Sequence, residues 1–249
     1  MRTPRPGSAR HDRSPARRPG RREHRTHHRA VLALLAISAA IVATAAPAVA
    51  KAKPSAADRV MLRAGVVTAA DVPAGWTATN QVDTSADQFQ GIRVCRAVHR
   101  AVFTARATVP YKLSQAFSPP GPDNGLTSVD DTVLAFRTDA RADAFVAVFE
   151  RPSAGTCLQA VLARGLRGEG HATVAPLAVA PAGDAAVGYE ARITSTSAGL
   201  TGSQVGDIVV LRVGRVVAYF SSLNAAAAPL PQGPAIVAAV AGRLRAVGA

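Results

Sequence analysis

Few side chains in this sequence could do chemistry, and their types and spacing limit what that chemistry would be. Cys95 and Cys157 are the only cysteines, and of six histidines only His99 and His171 lie beyond residue 28. His99 follows Cys95 by four positions, one helical turn. A structural zinc site needs about four such ligands, and none complete this set, so no metal site is expected. A nucleophile elbow would read Gly-x-Ser-x-Gly, whereas Gly202-Ser203-Gln204-Val205-Gly206 has its glycines at the wrong offsets. Neither histidine has a triad context, and no glycine-rich phosphate loop is present. Asp130-Asp131 offers two adjacent carboxylates, but neighbours on a strand point to opposite faces and would not converge. Asp184, after Pro181-Ala182-Gly183, opens a strand and is expected to accept hydrogen bonds from turn amides. Trp76, the only tryptophan, could stack on a ligand, or plug the core at a turn-to-strand junction. No catalytic residue and no cofactor is expected; the chain is read as a non-enzyme, with Trp76 its one candidate ligand contact.

The first fifty residues carry a different kind of information. Residues 1–29 hold ten arginines against two acids, and 30–50 hold no charge and end in Ala48-Val49-Ala50. A basic segment, an apolar segment and a small-x-small exit make an export signal. Cleavage after Ala50 is the expected processing. The alternative is an uncleaved anchor over residues 30–50, whose 21 residues match the roughly 20 that span a bilayer. The leader supplies +8 of the formal +13, which leaves +5 for the rest. The remaining arginines are scattered and not interleaved with aromatics, so no nucleic-acid partner is expected. Membrane contact is expected only through an uncleaved leader.

Export also gives meaning to the cysteines. Outside the cytoplasm a lone pair is most simply a disulfide. Closing a loop of about 63 residues would stabilise the fold by about 4 kcal/mol in the chain-entropy picture.

Around these residues the sequence predicts the elements that must position them. Residues 51–57 read as a tether, with a helix beginning near Ser55 and running to Arg63. Pro73 and Gly75 suit the second and fourth positions of a type I turn before a short strand from Trp76 to about Gln81. Residues 91–106 predict a helix with Val94, Val98, Ala101, Val102 and Ala105 inward and Arg96, His99, Arg100 and Arg106 on a solvated face. Strands are expected over 112–118 and 127–138. Asp139 is expected to cap a helix facing inward through Ala142, Phe145, Val146 and Phe149. Pro152 starts another, carrying Cys157. The last third predicts strands around 187–194, a hairpin of 205–213 and 216–223 through Gly214-Arg215, and a final helix from Ile236 to Val247. This order gives one α+β domain over residues 58–248, an antiparallel sheet with helices packed mainly on one face.

Several of these segments carry a resemblance. The leader, the two helix cysteines, Asp71-Val72-Pro73-Ala74-Gly75-Trp76, Pro181-Ala182-Gly183-Asp184 and the run from Asp207 to Val217 resemble the secreted sensor-like proteins and lipoproteins of actinobacteria. That group is similar to the extracellular sensor domain of mycobacterial Ser/Thr kinases. The resemblance covers roughly residues 60–247 and implies an antiparallel sheet backed by helices, with a cleft for a small ligand. The chain departs from it in having one cysteine pair where the kinase sensor domains use two, no lipid-bearing cysteine and no kinase domain. The expected function is a non-catalytic exported envelope protein that binds a small apolar or amphipathic ligand or another envelope protein. The alternatives are an extracytoplasmic hydrolase with a dispersed site and a purely structural or interaction protein of the surface.

Overall fold

The computed structural model describes residues 54–79, 88–108, 111–121, 126–197 and 200–249. Residues 1–50, expected to be an export leader, and residues 51–53 of the expected tether lie outside the described residues. In chain order the elements are α1 (Ala56–Gly65), β1 (Thr77–Thr79), a 3-10 turn (Arg93–Cys95), α2 (Arg96–Thr108), β2 (Tyr111–Ser118), β3 (Ser128–Ala135), α3 (Asp139–Phe149) and α4 (Pro152–Leu166). They continue with β4 (Gly170–Leu177), β5 (Ala185–Ser197), β6 (Leu200–Val213), β7 (Val216–Asn224) and α5 (Gly233–Ala246).

The seven described strands form one sheet in the order β1-β2-β3-β7-β6-β5-β4, antiparallel throughout. It consists of two meanders, β1 to β3 and β4 to β7, joined where β3 pairs with β7 from Ser128↔Leu223 to Ala135↔Val216. The fold is the α+β class with a single antiparallel sheet that the sequence predicts.

Strand alternation sorts the core into two layers. Leu134, Ile208, Val210, Val217 and Tyr219 pack with α2, α3 and α4 on one face. Val129, Val133, Val209, Leu211, Ala218 and Phe220 pack with α1 and α5 on the other. Three helices thus share the first face, and two cover the second. Because both faces are covered, β3 is buried at every position and β7 at all but its last. β7 accordingly opens on an unbroken apolar run over 216–220, whereas β3 carries Ser128, Asp130, Asp131 and Thr132 buried within it.

Local chemistry sets the ends of these elements, and in four places it departs from the sequence expectation. Ser55 and Asp58 form a capping box, so α1 starts at Ala56 and takes in the last two tether residues. The Trp76 amide donates to the Pro73 carbonyl at 3.2 Å, so Pro73 is the first residue of its turn and Gly75 the third. Gly75 there has φ +88°, the left-handed region that favours glycine. Asp139 is the first residue of α3 rather than its cap, which is Thr138. The helical stripe over 91–106 is also rephased. The 3-10 turn places Cys95 inward and leaves Val94 44% exposed, while Val98 and Val102 remain buried.

Candidate functional site

Two helical stripes face each other across the surface of the first layer. On α2, Ala97, Arg100, Ala101 and Thr104 recur at i, i+3, i+4 and i+7; on α3, Arg141, Ala144, Phe145 and Val148 do the same. Together with Phe136 and Arg151 they line a groove of about 410 Å³. The alanines open it, because three small side chains sit where larger ones would close two packed helices together. Its floor is Phe136 and Phe145, both buried. The floor is braced by tilted ring contacts from Phe136 to Phe145 and on to Phe149, at 5.4 Å each, and by Phe149 against Tyr219 at 6.4 Å. The Tyr189 hydroxyl donates to the Phe149 carbonyl and holds the end of α3.

The rim is cationic. Arg100, Arg141 and Arg151 are exposed and no Asp or Glu lines the groove. None of the three forms an ion pair among the described residues. Arg141 stands in the first turn of α3, and Arg151 lies two residues past its end as the N-cap of α4.

The α2 wall is held from behind. Cys95 and Cys157 form a disulfide with Cα atoms 4.7 Å apart, both residues fully buried, and it ties the 3-10 turn ahead of α2 to α4. Arg164 of α4 adds a hydrogen bond to the Gln90 carbonyl at 2.7 Å.

The residues singled out in the sequence do not converge. Trp76 is half-buried and packs against the α1/α5 layer, on the far side of the sheet from the groove, and it does not line it. His99 stacks on Phe103 with ring centres 4.6 Å apart. His171 is exposed on β4 opposite Thr194, whereas Asp184 lies just before the other end of β5, ten residues or roughly 33 Å away. Asp184 accepts from the Gly214 amide at 2.6 Å, the turn-amide role expected of it. Asp130 and Asp131 point to opposite faces. Ser128 Oγ donates to Asp130, while Asp131 Oδ2 accepts from the Val67 amide at 2.8 Å in the α1/α5 layer. Burial first, then the charge of Asp130, raises the Asp131 carboxyl well above the ordinary value. Among the described residues no three His, Cys, Asp or Glu side chains gather as a metal site would require.

Sequence reasoning missed one acid. Asp207 of β6, 6% exposed, is registered opposite Glu190 of β5 near the start of α5, and its Oδ1 has no hydrogen-bond partner. Burial, with the Glu190 charge second, pushes its pKa up to about 6. Two carboxylates with one raised pKa can do acid/base work, but neither the α2–α3 groove nor the small cavity beside Asp131 is lined by this pair. The apolar run around Asp207 signalled its burial in the sequence; its pairing with Glu190 required the register.

No protein-family model matches the chain, and no curated protein matches it. Among solved structures, the extracellular domain of PknH from Mycobacterium tuberculosis is similar to this chain at the level of fold, with a TM-score of 0.48. The identity is 14%, over 78% of this chain and 98% of that one.

Proposed function

We propose that this chain is a non-catalytic exported protein whose α2–α3 groove binds a small amphipathic ligand. The observation that carries the reading is the groove itself: an apolar floor of Phe136 and Phe145 beneath a polar rim, with a volume of about 410 Å³. Ligand sites are concave and mostly apolar with a few polar groups, at about 300–1,000 Å³. The separation of His171 from Asp184, at opposite ends of β5, supports a binding role over a hydrolytic one. The disulfide supports an oxidising, extracytoplasmic compartment.

Trp76 lies across the sheet from the groove, so intrinsic fluorescence is a poor reporter, and calorimetry is the measurement of choice. Dodecanol and dodecyl phosphate, titrated as monomers into the purified protein, are expected to give saturable binding from at least one of them. Ala144→Trp places a large ring at an exposed position of the groove wall, and is expected to abolish that binding while leaving the melting temperature within a few degrees. Failure of both probes to bind, or binding that Ala144→Trp leaves intact, would overturn the reading.

A further inference from the structure

Resting on that reading of the groove, we infer that its ligand is an anionic amphiphile, with a carboxylate or phosphate head group held by the rim arginines and an apolar body on the phenylalanine floor.

The inference starts from how the chain uses arginine elsewhere. Arg192, Arg212, Arg215 and Arg243 each have a carboxylate within 4.0 Å and serve the fold: Arg215 reaches Asp58 at 2.5 Å, and Arg243 reaches Asp71 at 2.7 Å. Other arginines, Arg93, Arg137 and Arg245 among them, form no ion pair among the described residues either, and what sets Arg100, Arg141 and Arg151 apart is that they gather around one cavity. They come from both walls of one cavity, have no acidic partner among the described residues, and surround a lining that contains no acid.

Three unneutralised guanidinium groups around an apolar concavity raise the local positive potential and concentrate anions there. Each guanidinium presents paired N–H donors that match the geometry of a carboxylate or phosphate. The lining supplies the complementary preference, because Ala97, Ala101, Ala144 and Val148 present apolar surface to be covered above the buried Phe136 and Phe145 rings and offer nothing to a hydrated inorganic ion. With Arg141 in the first turn of α3, Arg151 just past its end and Arg100 on the facing wall, a head group meets a guanidinium whichever way the chain lies. A neutral amphiphile would leave these cations unused, and a cationic one would be repelled.

The test compares four probes of equal chain length as monomers: dodecyl phosphate, dodecanoate, dodecanol and dodecyltrimethylammonium. The phosphate and the carboxylate are expected to bind at least about tenfold more tightly than dodecanol, in keeping with charge-assisted hydrogen bonds. That advantage is expected to shrink as salt is added. Replacing Arg100, Arg141 and Arg151 together by glutamine is expected to erase the advantage over dodecanol, and replacing all three by lysine is expected to keep most of it. The three single glutamine variants then locate the head group. Circular dichroism and melting temperature establish that every variant is folded. Sedimentation with phosphatidylglycerol vesicles, against phosphatidylcholine vesicles, identifies the source. Arginine-dependent capture on the anionic vesicles points to a membrane lipid head group, and binding of monomers alone points to a free amphiphile; both support the inference. Dodecanol or dodecyltrimethylammonium binding as tightly as dodecyl phosphate would overturn it and leave the groove reading standing. If none of the four binds, both fall together.

Discussion

Asp207 shows how a single carboxyl can set the pH response of this fold. Its pKa of about 6 lies above the ordinary aspartate value of 3.8, so the native state holds the proton more tightly than the unfolded chain does. Stability therefore falls as pH rises from about 4 to about 6, and the loss is complete above that window. Two units of difference correspond to about 2–3 kcal/mol at most. Asp207→Asn is accordingly expected to raise the melting temperature at pH 7 and leave it nearly unchanged at pH 4, as read by scanning calorimetry. Asp71 acts in the opposite sense. Burial opposes its ionisation, but hydrogen bonds from Arg243 and Thr68 outweigh burial and hold its pKa below 3.8. Its contribution is present above pH 4 and fades as pH falls through the lowered value. Arg243 also donates to the Ala64 and Val66 carbonyls, so one guanidinium joins α5 to the end of α1. Arg243→Leu is expected to cost about 2 kcal/mol in urea unfolding at pH 7, and a loss below a few tenths would reject this role.

Among the elements, α4 was legible from Pro152 and its apolar stripe, and the β6–β7 hairpin from Gly214, because in each a local rule agrees with the packing. Strand β4 was not legible. Of its eight residues only Ala172 is buried, so there is little alternation to read, and its pairing with β5 places it. The groove was illegible for a related reason. Ala97 and Ala101 read as weakly apolar and Arg100 as solvated, and their significance depends on Ala144 and Val148 facing them from another helix. Trp76 is a large aromatic whose ring packs against core; size signals burial more reliably than it signals binding. At this scale the disulfide can be tested. Cys95→Ala/Cys157→Ala is expected to lower stability by about 2–4 kcal/mol and to weaken amphiphile binding, since the bridge fixes the base of the α2 wall. Loss of stability with unaltered binding would show that α2 is placed by packing alone.

For the molecule as a whole, the class was legible because antiparallel strands joined by short turns and flanked by amphipathic helices leave few architectures open. Coverage of both faces was not, since it depends on α1 and α5, distant in sequence, meeting on one side. The core is centred on β3, β7 and β6, with β1 and β4 at the edges. Hydrogen exchange is therefore expected to be slowest in β3 and β7 and fastest in the edge strands β1 and β4, whose outer edges have no pairing strand among the described residues. Equal protection in β4 would mean that another chain pairs with it.

The bond between Cys95 and Cys157 also has a consequence in time. It joins the turn that leads into α2 to a helix buried against the sheet, whereas α2 itself rests mainly on α3. A chain still reduced before export would have only that outer packing to hold one wall of its groove, and the wall would set once the cysteines meet an oxidising milieu. On the proposed reading of an exported, amphiphile-binding chain, occupancy would then begin after translocation, with the groove crossing the membrane empty and filling on the far side.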